Sequence, residues 1–287
     1  MKSLQGRLVL ILDAGCPLGH ALALECARIG ARLALWASHR ATADRVAADV
    51  VRCHGITVCA YQVDLTQRES IEAGVDAVRR DFPRIDVVIC NMDELHGLPI
   101  LVTPPESIRQ TIQVNGLATM WTTRLVLPQM IEQKGGHIVF FGTVAETLGA
   151  SKLVDYCASK YMVMGFYEAL RHELRRTTKL LDKDLNLTLV CPTLLSRSHG
   201  APEENGPFFT PIWLEPEPTA RNIVRAIRKN QSKLVLPPDF SMITGLLSIL
   251  PARAAQWVRE KLRLSNVMDH YRVPTATPYA YAAGSST

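Results

Sequence analysis

Seven short apolar runs recur along the chain, and stretches of helical spacing separate them. The runs are Arg7–Leu12, Ala31–Ala37, Thr57–Val63, Asp86–Asn91, His137–Thr143, Leu187–Pro192 and Lys233–Pro237. None alternates cleanly between apolar and polar positions. That predicts strands buried on both faces rather than strands with one wet side. Between them, apolar residues return every three or four positions over 18–29, 40–53, 67–82, 106–134, 154–176 and 219–230. This is the spacing of a helix with one buried stripe. Strand–helix–strand repetition predicts an α/β fold: a single Rossmann-like domain with a doubly wound parallel sheet and right-handed crossovers.

In such a sheet ligands lie beyond the carboxyl ends of the strands. Asp13, Ala37, Asp64, Asn91, Thr143 and Pro192 stand at those ends. The domain is expected over 1–240, with a substrate loop at 193–218. Structureless stretches of that length are usually functional or mobile. Residues 241–270 read as a C-terminal helical extension and 271–287 as a disordered tail. Phe240–Leu264 has three open readings: a segment lying on a membrane or lipid-droplet surface, a cap over a substrate pocket, or a packed helix pair interrupted at Pro251.

Composition narrows the picture. With 287 residues, 47% of them hydrophobic and 6% aromatic, the chain builds one large and mainly aliphatic core. The net charge of +5 is spread thinly, as in Arg171–Arg176. That reads as a solvated helix face and not as a nucleic-acid stripe. Seven cysteines, at 16, 26, 53, 59, 90, 157 and 191, form no CxxC pair and sit mostly in apolar segments. They read as reduced thiols, with no disulfide framework and no metal site. The apolar stretch near the start is too short for a signal peptide or a membrane span.

The first strand runs into a turn and a helix at Leu8–Ala27. Gly15 and Gly19 suit a phosphate-cradling turn, whereas Asp13 and Pro17 occupy places where glycine is expected. Asp13 is expected to cap the turn with its carboxylate and to oppose a phosphate. Pro17 is expected to remove an N–H donor. Further on, Tyr156 and Lys160 are four residues apart, on one helix face. An ammonium there lowers the phenol's pKa and readies it to exchange a proton with a carbonyl or alcohol. Thr143 lies 156 − 143 = 13 residues before Tyr156, and its hydroxyl can hold the same substrate oxygen. Asn115, in the long helical stretch, is expected to bend that helix, hold a water and link to Lys160.

Together these residues resemble the short-chain dehydrogenase/reductase family over about residues 1–240. "YCASK" (Tyr156–Lys160) matches its YxxxK motif, Thr143 falls at its catalytic serine and Asn115 at its helix asparagine. "VDLT" (Val63–Thr66) matches the segment whose aspartate meets adenine, which implicates Asp64 and Leu65. "CNMD" (Cys90–Asp93) stands for NNAG and keeps only Asn91, and "CPT" (Cys191–Thr193) replaces the Pro-Gly after the sixth strand. The resemblance implies a catalytic set of Tyr156, Lys160, Thr143 and Asn115, with Thr143 and Tyr156 on the substrate. It implies a nicotinamide cofactor held by Gly15, Leu18, Gly19, Ser38, Arg40, Asp64, Leu65, Asn91, Tyr156, Lys160 and Pro192. Ala37 replaces the acidic residue that grips the 2′-hydroxyl of NAD, and Ser38 and Arg40 follow it. NADP(H) is therefore favoured over NAD(H).

Trp121–Val139 and Leu214–Pro238 resemble the retinol and hydroxysteroid dehydrogenase branch. That branch implies a lipophilic alcohol, ketone or aldehyde as substrate, of retinoid or steroid type. It implies a homodimer and no nucleic-acid partner. The expected location is cytoplasmic, with peripheral contact at the endoplasmic reticulum or lipid droplets. The substitutions at Leu12, Asp13 and Pro17 leave an alternative: a catalytically impaired member serving as a binding or scaffolding protein.

Overall fold

The apolar runs form β1 (Leu8–Leu12), β2 (Arg32–Ala37), β3 (Val58–Gln62), β4 (Val87–Cys90), β5 (Gly136–Phe141), β6 (Leu185–Pro192) and β7 (Lys233–Leu236). The computed structural model describes residues 1–143, 149–193, 214–238, 240, 245 and 249–261. All strand pairs are parallel, in the order β3-β2-β1-β4-β5-β6-β7. Residues alternate between the faces of the sheet. Leu8, Leu10, Leu12 and Trp36 enter one apolar layer, and Val9, Ile11, Leu33 and Leu35 enter the other. Both faces are therefore dry, which is why the strands read as unbroken apolar runs. The edge strands β3 and β7 are only partly buried.

One layer is covered by α1 (Pro17–Arg28), α2 (Arg40–His54) and α7 (Pro216–Arg228). The other is covered by α3 (Arg68–Asp81), α5 (Ala118–Glu132) and α6 (Val154–Thr177). The helix expected over 106–134 is in fact two, α4 (Pro105–Thr111) and α5, joined by a π-helical turn at Ile112–Leu117. Asn115 and Gly116 lie in that turn. A Cβ on Gly116 would meet the end of the Met162 side chain, which packs over this turn from α6. The expected bend at Asn115 is thus present, as a widened turn.

Pro216–Pro218, expected to end the substrate loop, begin α7 instead, because proline suits the first turn of a helix. The rest of that loop, 194–213, lies outside the described residues, as does the tail. Within the C-terminal extension α8 (Ala252–Lys261) is described; Trp257 is exposed and Ala255 buried.

At the amino ends of the strands, buried Asp86 accepts the Leu8 N–H at 2.9 Å and faces Arg7 and Arg84 at 3.2 and 2.7 Å. Buried His137 meets Thr188 Oγ1 and Lys2 Nζ, each at 2.7 Å. Burial holds its imidazole well below the usual 6.5. These contacts fasten the end of the sheet opposite the candidate site. At the carboxyl ends, β1 lies between β2 and β4, and the chain crosses to opposite faces from this pair. The crevice expected of a doubly wound sheet opens there.

Candidate active site

The turn after β1 keeps a glycine-like backbone without a glycine at its start. Asp13 has φ 53°, in the left-handed region where aspartate is one of the tolerated side chains. Ala14 donates its N–H to Trp36 O at 2.8 Å and ties the turn to β2. A Cβ on Gly19 would lie 2.3 Å from Asp13 O, and one on Gly15 would lie 2.6 Å from Thr42 Cγ2. Both glycines therefore serve close approach within the protein. The Leu18 side chain is fully buried, so only its backbone can face a ligand.

The cap of α1 corrects the expectation for Asp13. Cys16 is the capping residue: its Sγ accepts the Gly19 N–H at 3.3 Å and the Asn91 amide at 3.1 Å, and its thiol donates to Asp13 O at 3.3 Å. Burial, then the charge of Asp13, pushes this thiol far above its ordinary range, so it stays neutral. Pro17 removes a donor as expected, and its position makes the substitution compatible with the helix. It sits at the first helical position, where an N–H has no partner inside the helix and φ is already suitable. The Asp13 carboxyl is pushed up to about 6, chiefly by burial, and further by Glu94 and Asp93.

Beyond β2, Ser38 and Arg40 are exposed. Arg40 Nε donates to both Asp44 oxygens at 2.9 Å, one turn along its own helix. A cleft of about 370 Å³ beside the turn is lined by Gly15, Pro17, His20, Arg45, Val46 and Glu217. Arg45, missed in the sequence, is thus the arginine among the described residues that line this cleft. Asp64 Oδ1 accepts from Thr66 N and Oγ1 at 2.8 and 2.7 Å and closes the turn into α3, while Leu65 packs on the core.

At the reacting end, Tyr156 and Lys160 are 3% and 1% exposed. Lys160 Nζ lies 5.4 Å from the Tyr156 ring centre and donates to Met92 O at 2.7 Å. Thr143, buried at the end of β5, donates to Pro192 O at 3.1 Å, and its hydroxyl also meets that of Tyr156. The direct contacts of the Asn115 side chain are with the loop after β4 and with Ser159. The amide accepts the Glu94 N–H at 2.8 Å and donates to Glu94 O and Ser159 Oγ, each at 2.9 Å. It clamps the loop after β4 against α6.

Asp93, from that loop, was not among the expected site residues. Its Oδ1 accepts from Tyr156 Oη at 2.7 Å and lies 3.1 Å from Lys160 Nζ. The phenol is held well above its ordinary 10, first by burial and then by Asp93, which reverses the lowering expected from Lys160 alone. The signal in the sequence was an acidic residue just past a strand end, where the resembled family has glycine. Among the described residues no group of metal ligands occurs.

The family model described as short chain dehydrogenase matches residues 7–202. Retinol dehydrogenase 10-B of Danio rerio is 36% identical over 277 residues, covering 87% of this chain and 80% of the relative. Retinol dehydrogenase 10 of Homo sapiens is 35% identical over 285 residues, covering 88% and 81%. Among solved structures, a short chain dehydrogenase/reductase from Burkholderia phymatum in complex with NAD superposes with TM-score 0.75 at 20% identity, over 96% of this chain and 100% of that one. A metagenomic short-chain oxidoreductase in complex with NADP gives 0.67 at 24% identity, over 82% and 98%.

Proposed function

The chain belongs to the short-chain dehydrogenase family, and from that premise we propose that it interconverts a lipophilic alcohol and its ketone or aldehyde, using a nicotinamide dinucleotide. The observation that carries this reading is the buried Tyr156–Lys160 pair, with the Thr143 hydroxyl on the same phenol, at the carboxyl end of the sheet. When bound, the dinucleotide supplies the hydride in reduction and accepts it in oxidation. Tyr156 gives or takes the proton, Thr143 and Tyr156 hold the reacting oxygen, and Lys160 binds the nicotinamide ribose. Asn115 and Pro192 hold the walls around them.

The turn fits a dinucleotide in shape. Asp13 retains the left-handed backbone, Gly15 and Gly19 keep α1 close, and the helix N-terminus favours an anion. Gly15, Leu18 and Gly19 then approach the pyrophosphate by backbone, and Asp64, Leu65 and Asn91 the adenosine half. Ala37 in place of an acid, with Ser38, Arg40 and Arg45 nearby, favours NADP(H). On this reading Arg45→Ala weakens NADPH by about 1–3 kcal/mol and NADH little. Arg40→Ala changes either only slightly, because Arg40 is already paired with Asp44. Competitive titration of both cofactors decides; equal losses at Arg45 remove its role in cofactor choice.

The retinol dehydrogenase relatives support a retinoid-like or steroid-like substrate. Family analogy supports a homodimer, which sedimentation would test. Among the described residues no helix is long and apolar enough to cross a membrane. Exposed Ile249 and Trp257 favour peripheral contact with endoplasmic reticulum or lipid droplets. NADPH and NADH fluorescence titration of the purified protein, followed by turnover on retinoids and steroids, tests the whole reading. Failure to bind either dinucleotide at millimolar concentration overturns it. That result would favour a catalytically impaired binding protein, a reading supported by the carboxylate that already engages Tyr156 and Lys160.

A further inference from the structure

No step of the proposed reaction uses Asp93, yet its carboxylate stands against both groups that the reaction needs. A single oxygen accepts from Tyr156 Oη at 2.7 Å and faces Lys160 Nζ at 3.1 Å. A buried phenol beside a lone ammonium gains by ionising, because phenolate and ammonium then cancel. With Asp93 against the same ammonium, that cancellation exists while the phenol is neutral. Ionising Tyr156 would set two negative charges against one positive in a buried site. The hydrogen bond acts in the same direction, since a carboxylate accepts from a phenol and offers a phenolate nothing.

Among the described residues, the other titratable neighbours do not restore the balance. Cys157 follows Tyr156 on α6, and Asp13 and Glu94 lie within electrostatic reach of Asp93 from the turns after β1 and β4. Each is either neutral or negative. The Thr143 hydroxyl, from the end of β5, eases phenolate formation and is outweighed.

We propose that Asp93 is a positioning residue that keeps Tyr156 a proton donor at neutral pH and confines its use as a base to alkaline solution. The proposal rests on the oxidoreductase reading. In reduction, the carbonyl carbon gains a hydride from the reduced dinucleotide and the π pair of C=O moves to oxygen. That oxygen takes the Tyr156 proton, and the phenolate regains one from water. In oxidation the alcohol proton must pass to a phenolate, the form that Asp93 disfavours.

Two substitutions separate charge from shape. Asp93→Asn keeps an acceptor and removes the charge, and Asp93→Gly removes both. The first measurement needs no ligand: ultraviolet difference titration of phenolate absorbance, each protein against its own Tyr156→Phe counterpart. Wild type is expected to show no Tyr156 phenolate up to the pH at which it unfolds, while both variants show it below their own unfolding. The second is the pH dependence of kcat for alcohol oxidation at saturating alcohol and oxidised dinucleotide. Its rise is expected about 2 pH units lower in the variants, the usual effect of one close charge. Oxidation at pH 7 then increases about tenfold or more. If neither variant brings the phenolate into range, the proposal falls whatever the turnover. If the phenolate appears but the oxidation profile does not move, Asp93 touches Tyr156 without governing the reaction, and the proposal also falls. If the phenolate appears and no form binds a dinucleotide, the oxidoreductase reading is what fails, and the pH assignment fails with it.

Discussion

Tyr156→Phe is expected to reduce turnover by about 10³-fold or more while dinucleotide affinity stays within a few-fold of wild type. The substitution deletes one oxygen. Positioned proton transfer contributes roughly 10²–10⁴ to a rate, and the same oxygen helps to hold the reacting carbonyl, so both contributions vanish together. Loss of the hydroxyl also removes the donor that faces Asp93 at 2.7 Å. Lys160→Ala is expected to harm more: affinity, because a ribose contact goes, and stability, because the buried ammonium that pairs with the partly buried Asp93 carboxylate goes. Combining Lys160→Ala with Asp93→Asn should therefore recover stability over Lys160→Ala alone without recovering turnover. Single-turnover rates, cofactor titration and urea unfolding of the four proteins read these effects separately. Wild-type turnover by the Phe variant would end the assignment of Tyr156.

The fold was legible because its signals are local and repeated. Each strand of the sheet coincides with an apolar run, since a parallel sheet covered on both faces has no wet side to interrupt the pattern. The break at Ile112–Leu117 was legible only in part. Asn115 suggests a bend, but its form as a widened turn, with Met162 of α6 packed over Gly116, involves segments far apart in sequence. Likewise Pro216 reads as loop by residue type and as helix start by position, and nothing near it in sequence decides between the two.

The site divides the same way. Tyr156, Lys160 and Thr143 were found from spacing, and the structure brings them together. The local partner of Arg40 is visible in the sequence: Asp44 lies one helical turn on, and an exposed pair at that spacing engages the guanidinium locally. The direct partners of Asn115 are not legible in the sequence, because its amide contacts depend on how the loop after β4 folds back onto α6. Asp93, marked in the sequence only by standing where the resembled motif has glycine, and Cys16 escape periodicity for one shared reason. Each is a single side chain in a turn, with no period to betray it, and its partner is 63 residues away for Asp93 and 75 for the Asn91 contact of Cys16.

Asp13 carries the largest expected effect on stability, and its sign depends on pH. Its carboxyl is raised from 3.8 to about 6, mainly by burial. Between those values the folded protein holds a proton that the unfolded chain has lost, so stability falls as pH rises through that window. Above about pH 6 the penalty is complete; below about 4 it is absent. At roughly 1.4 kcal/mol per pH unit it amounts to about 3 kcal/mol at most. Asp13→Asn removes the charge, and asparagine tolerates the left-handed backbone that this position requires. The variant is therefore expected to be more stable than wild type by about 2–3 kcal/mol at pH 7.5 and equal to it near pH 4. His137, buried as the neutral imidazole, gives the opposite slope, with stability lost as pH falls below 6.5. That term is common to both proteins and cancels in the comparison. Urea unfolding of the pair at both pH values isolates the carboxylate, and a difference that does not change with pH would trace the effect to backbone or packing instead. The same charge lies at the turn where the pyrophosphate is proposed to bind. The gain in NADPH affinity from Asp13→Asn should therefore also be larger at pH 7.5 than at pH 5, where wild type has already taken up most of the proton.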